Sequence, residues 1–178
     1  NKEVGFNLPP MLEAAKILRE RRPELQFVLA AAPHLRASAF QDAAAAGVIV
    51  KEGVTREVLS SARVAIVASG TATVETALTL TPLVVVYRLS ALTYALGKPL
   101  VSVSNYAMVN LIAGRVVAPE LIQGDFTAGR VTKETLRVLD DGDERSEMLR
   151  GLAEVRDKLG KGGATVHAAD EVDAFLRR

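Results

Sequence analysis

The chain has 178 residues, 49% of them hydrophobic and 24% charged, with a formal net charge of +1, which is the balance of a single globular domain rather than a disordered segment. That near-neutral balance, with no aromatic residues interleaved among basic ones, argues against a nucleic-acid surface. Zero cysteines exclude disulfides, thiolate metal sites and cysteine nucleophiles, and 4% aromatic content without Trp leaves Val, Leu, Ile and Ala to build the core.

After Pro9-Pro10, apolar residues at Met11, Leu12, Ala15 and Leu18 predict a helix over Met11–Arg22 that starts at the prolines and ends at Pro23. Gln26–Ala31 reads as a strand, Leu35–Ala46 as an Ala-rich helix closed by Gly47, and Val48–Val50 as a second strand. Thr55–Ala62 is a short helix with Thr55 as its cap. Arg63–Ala68 is a strand, Ser69-Gly70-Thr71 a turn, Ala72–Leu80 a helix and Pro82–Tyr87 a Val-rich strand. Leu89–Leu96 reads as helical, Val101–Ser104 as a further short strand, and Pro119 as the start of a helical turn reaching Ile122. Helices over Thr132–Asp140, Glu144–Leu159 and Ala164–Leu176 close the chain. Strands alternating with helices predict an α/β fold, a Rossmann-like parallel sheet with helices on both faces, in one domain over residues 1–178. In such sheets ligands bind beyond the C-terminal ends of the strands.

The longest apolar stretches, Arg63–Ala68 and Pro82–Tyr87, fall far short of the ~20 residues that span a bilayer. No secretory signal is visible, and a chain that begins at Asn1 rather than Met is expected to be a piece of a longer protein. Leu89–Leu100, apolar with Lys98 near its end, can lie on a membrane surface or pack within the protein.

The strongest local signal is Val67-Ala68-Ser69-Gly70-Thr71-Ala72-Thr73-Val74-Glu75, a strand that runs through a Gly turn straight into a helix. Gly70 lets a ligand approach the backbone, the helix N-terminus offers free N–H groups and partial positive charge, and Ser69, Thr71 and Thr73 add hydroxyls. A diphosphate suits that environment, and Glu75, one turn on, is placed to accept hydrogen bonds from a ribose diol. The alternative is that Ser69 or Thr71 merely caps the helix and Glu75 complements its dipole. No Lys follows the Gly, so this is not a P-loop. In Tyr106–Arg115, Asn110 is an amide in an apolar run that needs partners, and Glu120 and Gln123 follow Pro119; a polar loop with an ordinary helix start is the plainer reading. Arg88 directly follows a buried-type strand, where ligands often sit. His34 and His167 have no ligand-spaced partners, so no metal site is expected, although His34 follows a strand end and can line a pocket.

Taken in order, Ser69–Glu75, Val84-Val85-Val86-Tyr87-Arg88, Val109–Gly114 and Pro119–Gln123 resemble the lipid-A-disaccharide synthase family, and the likeness runs from Leu8–Ala15 to the last helices. The resemblance implies the C-terminal half of a two-domain GT-B glycosyltransferase, inverting and metal-independent, with no cofactor. That family transfers a sugar from UDP-2,3-diacylglucosamine to 2,3-diacylglucosamine 1-phosphate, giving the β-1,6-linked lipid A precursor and UDP at the cytoplasmic face of the inner membrane. It places Ser69, Gly70, Thr71 and Thr73 near the diphosphate, Glu75 near the ribose, and Arg88, Asn110, Glu120 and Gln123 in the same cleft. No catalytic residue is assigned in this chain, because the general base is expected in the N-terminal acceptor domain.

Two departures are visible. Met108-Val109-Asn110 stands where family members often have Leu-Pro-Asn, and the family's strand and Gly-Ser-Arg turn are expected before Asn1. That strand belongs in the middle of the sheet, so the chain has reason to form a homo-oligomer; without the acceptor site and general base expected in the N-terminal domain it is expected to be inactive alone. A UDP-sugar epimerase or hydrolase of similar fold, and a non-catalytic assembly domain, remain the alternatives.

Overall fold

The computed structural model describes residues 2–32, 40–90, 105–160 and 163–177. In chain order the elements are α1 (Lys2–Arg21), β1 (Val28–Ala31), α2 (Gln41–Ala45), β2 (Ile49–Glu52), α3 (Thr55–Ser61), β3 (Ala65–Ala68), α4 (Thr71–Leu78), β4 (Leu83–Tyr87), α5 (Met108–Ala113), β5 (Glu120–Ile122), a 3-10 turn (Gln123–Asp125), α6 (Ala128–Leu139), α7 (Asp143–Leu159) and α8 (Ala164–Leu176).

Leu83, Val84, Val85 and Val86 of β4 are each 0% exposed, which fits a continuous apolar run covered on both faces. Alternation along the strand sorts them. Leu83 and Val85 join Ala77, Val109, Leu152 and Val155, the side covered by α4, α5 and α7. Val84 and Val86 join Ala14, Leu121, Phe126 and Val131, the side covered by α1 and α6. Each such side chain contributes about 1.5–3 kcal/mol by leaving water, so β4 is the central anchor of the domain.

The fold is α/β with parallel pairing, as the alternation predicts, but the sheet lies in two pieces. β3, β4 and β5 form one, with Ala68 opposite Val86 and Val86 opposite Leu121. β1 and β2 form the other, with Val28 opposite Ile49. α1 serves both, packing Leu8 with Ala31 and Phe40 beside the smaller sheet and Ala14 against the larger.

Four expected elements are corrected. α1 begins at Lys2 and carries Pro9 and Pro10 inside it, not at its start. The two prolines deprive the Gly5 and Phe6 carbonyls of their helical partners, but both residues are exposed and water can serve them. Pro119 opens no helical turn, because Glu120–Ile122 pair with Val85–Tyr87 as β5. Met108–Ala113, where a polar loop was the plainer expectation, is the helix α5, closed by Gly114 at φ 77°. α6 also starts earlier than Thr132, at Ala128, where the Thr127 hydroxyl accepts from the Arg130 N–H at 3.3 Å. His34, the Leu89–Leu96 helix beyond residue 90, and Val101–Ser104 lie outside the described residues. Among the described residues no helix is long and apolar enough to cross a membrane.

Candidate functional site

Three parallel strands end side by side, and each hands its chain to a residue singled out above: β3 to Ser69, β4 to Arg88 and β5 to Gln123. The Ser69 N–H donates to the Val86 carbonyl at 2.9 Å, so the turn leaves the sheet while still tied to β4.

Gly70 then adopts φ 147°, ψ −161°, a conformation that L side chains rarely reach, and becomes the residue preceding α4. Among the described residues no side chain accepts from the first N–H groups of that helix. The Ser69 hydroxyl instead donates to the Tyr106 carbonyl at 3.3 Å, and the capping alternative is not what the turn adopts. Thr73 is 0% exposed and both its N–H and its hydroxyl donate to the Gly70 carbonyl, at 3.1 and 2.7 Å. Its hydroxyl therefore stabilises the turn from within. Thr71 and Glu75 are exposed and lie four residues apart, one above the other on α4. The first N–H groups of a helix have no intrahelical acceptor, so the α4 terminus presents donors and positive charge beside an exposed hydroxyl and carboxylate.

Arg88 turns inward rather than toward open space. Its guanidinium donates to the carbonyls of Gln123, at 3.3 Å, and Phe126, and stacks 5.1 Å from the Phe126 ring centre. Gln123 has φ 53°, a left-handed conformation uncommon for a non-glycine residue, and its amide nitrogen is buried without a hydrogen-bond partner among the described residues.

Asn110 is 0% exposed and fully engaged. Its Oδ1 accepts from the N–H groups of Val117 and Ala118, at 2.8 and 3.0 Å, while Nδ2 donates to the Ala118 carbonyl and to Glu120 Oε1, at 2.8 and 2.7 Å. Glu120 also accepts from the Tyr106 and Ala107 N–H groups at 2.8 and 3.1 Å. Ser69, Tyr106, Glu120 and Asn110 thus form one hydrogen-bonded series, which joins the two segments that the sequence marked separately.

Asn7 escaped the sequence reading. It is 5% exposed, its Oδ1 accepts from the Arg88 N–H at 2.8 Å, and its Nδ2 donates to the Arg88 carbonyl at 3.3 Å. A signal was present, since Asn7, Met11, Ala14 and Leu18 lie on one helical stripe and only the first is polar. Beside it, the Tyr87 hydroxyl donates to Glu3 Oε1 at 3.1 Å, and burial, with Glu3 second, pushes that phenol above its ordinary pKa.

A cavity of about 230 Å³ lies elsewhere, lined by Arg115, Pro119, Glu134, Arg137, Glu144 and Met148. Pro119 precedes β5, which puts the cavity at the opposite end of that strand from Gln123. Its Arg137 is already paired, at 2.6 Å to Glu134 and 2.8 Å to Glu144. Among the described residues no three His, Cys, Asp or Glu side chains come together as metal ligands would.

The family described as lipid-A-disaccharide synthetase matches residues 1–169. The lipid-A-disaccharide synthase of Myxococcus xanthus is 45% identical over 178 residues, covering 98% of this chain and 46% of the relative. That of Syntrophus aciditrophicus is 44% identical over 171 residues, covering 94% and 45%, and that of Geobacter metallireducens is 39% identical over 183 residues, covering 98% and 46%. The chain spans about half the length of the curated relatives it matches.

Proposed function

The chain belongs to the lipid-A-disaccharide synthetase family, glycosyltransferases of lipid A biosynthesis, and from that premise we propose that it is the donor-binding domain of such an enzyme, holding the UDP-sugar at the ends of β3, β4 and β5. The observation that carries this reading is the Gly70 turn: an uncapped helix N-terminus at a strand end, with Thr71 and Glu75 exposed beside it. The diphosphate lies against the first N–H groups of α4, and the Thr71 hydroxyl joins them. Glu75 accepts from the ribose hydroxyls. Ser69, Thr73, Arg88, Asn110 and Glu120 serve the same site mainly by shaping it, since most of their polar atoms are engaged within the protein, while Gln123, at the end of β5, joins it with an amide nitrogen that has no partner among the described residues.

In the reaction, the acceptor's 6-hydroxyl oxygen bonds to the anomeric carbon of UDP-2,3-diacylglucosamine as the bond to the diphosphate breaks, with inversion. UDP leaves with the electron pair. Negative charge then grows on the diphosphate, and the α4 terminus, already oriented, stabilises it with little reorganisation. The acceptor, 2,3-diacylglucosamine 1-phosphate, and the base that takes its proton are assigned to the part of the relatives that this chain does not span. Both lipids place the work at the cytoplasmic face of the inner membrane, with the enzyme bound peripherally.

Calorimetric titration of UDP into the chain tests the reading. Wild type gives a saturable heat and Glu75→Ala a weaker one at unchanged thermal stability. Two traces without heat from folded proteins contradict it.

A further inference from the structure

Arg88 is the first residue past β4, where a parallel neighbour no longer pairs with its main chain. Its N–H and C=O would both need partners, and a carboxamide is the kind of side chain that supplies an acceptor and a donor together. Asn7 does this from α1, at 2.8 and 3.3 Å, while the same Nδ2 also donates to the Glu3 carbonyl at 2.9 Å. Asn7 therefore sets the direction in which the Arg88 side chain departs. That side chain holds the Gln123 and Phe126 carbonyls, and so holds a turn whose Gln123 sits at φ 53°. A non-glycine residue in that region persists only where its surroundings impose it. Pro9 and Pro10 weaken the helical bonding of the first turns of α1, so this end of the helix depends on its side-chain ties to Tyr87 and Arg88.

We infer that Asn7 is a positioning residue for nucleotide binding: through the Arg88 main chain it fixes the Arg88 guanidinium, and through that the Gln123–Phe126 turn at the end of β5. This rests on the proposal that the strand ends hold the donor nucleotide. Asn7 itself touches no ligand, and its effect runs wholly through Arg88.

The test uses the full chain, UDP as the probe, and Asn7→Ala and Asn7→Asp, each alone and with Arg88→Ala. Calorimetry is run at a temperature where circular dichroism reports every variant folded. Asn7→Ala is expected to bind UDP about tenfold more weakly than wild type, and Asn7→Asp, which keeps the acceptor but loses the donor, to fall between them. In the Arg88→Ala background neither substitution is expected to weaken binding by more than about twofold, because the path is already broken. A purely stabilising role would lower the melting temperature and leave the affinity of the folded variants untouched. Hydrogen exchange at the Arg88 amide and at the amides of residues 124–127 supplies a reading that needs no ligand; faster exchange in both Asn7 variants supports the role. Unchanged UDP affinity in Asn7→Ala, or equal losses with and without Arg88, overturns it. Should wild type bind no UDP, the donor reading fails and exchange alone decides, with unchanged rates at residues 124–127 overturning the role of Asn7.

Discussion

Asn110 Nδ2 lies 2.7 Å from Glu120 Oε1, so two residues expected to face a ligand are bonded to each other, and the Glu120 carboxylate is further occupied by the Tyr106 and Ala107 N–H groups. Asn110→Ala strips partners from the Val117 and Ala118 N–H groups and the Ala118 carbonyl, all in buried surroundings. The expected loss is about 3 kcal/mol in urea unfolding. Asn110→Asp keeps the acceptor but sets a second carboxylate against Glu120. The pair resists holding two charges, so protonation is favoured in the folded state and the variant should be less destabilised at pH 5 than at pH 7.5. Equal losses at the two values would count against this network.

Gly70 tests backbone strain apart from space. A Cβ built there meets nothing within 4 Å among the described residues, yet its φ of 147° is strained for any L side chain. Gly70→Ala is expected to cost about 1–3 kcal/mol by chemical denaturation. A neutral substitution would mean that the turn relaxes readily and does not hold α4 in place.

Gly151 poses the opposite case. In α7 an Ala would gain about 1 kcal/mol of helix propensity, but its Cβ would lie 2.6 and 2.9 Å from the two methyls of Val117. Overpacking of that kind costs about 1–3 kcal/mol, so Gly151→Ala should lower the melting temperature. Adding Val117→Ala should recover part of the loss, which a double-mutant cycle measures.

Two exposed carboxylates give the acid limb of stability. The Arg137 guanidinium holds Glu144 below the ordinary carboxylate range, and its own backbone N–H, followed by Arg22, does the same for Glu24. Because the folded values are depressed, their contribution is present above the unfolded carboxylate pKa of about 4.3 and is lost as pH falls through the folded values. Urea midpoints should therefore drop less steeply below about pH 4.3 in Glu24→Gln/Glu144→Gln than in wild type. Both sites are open to solvent, so the difference is small and shrinks with added salt.

Much of the fold was legible because its signals were local. The Val-rich run within Pro82–Tyr87 reads as a strand and is one, and the last helix, expected over Ala164–Leu176, is found at those bounds. β5 was not legible: three residues are too few to show a period, and Pro119 carries a helix-start signal that the pairing with β4 overrides. α1 was misjudged at its start because paired prolines usually end or open a helix, and what offsets them, the bonds from Asn7 to Arg88, spans 81 positions. The candidate site divides the same way. Gly70 and its helix declare themselves in consecutive residues, whereas the inward turn of Arg88 depends on Phe126 and Gln123 arriving from the next strand.

The most direct test of the donor-site proposal locates UDP rather than merely detecting it. In 1H–15N spectra of the labelled chain, titrated UDP should perturb the amides of Gly70, Thr71 and Ala72 first and saturably, with Glu75 following. Saturable shifts confined to the cavity between α6 and α7, around Arg115 and Glu144, or no saturable shift in a folded chain, would contradict it.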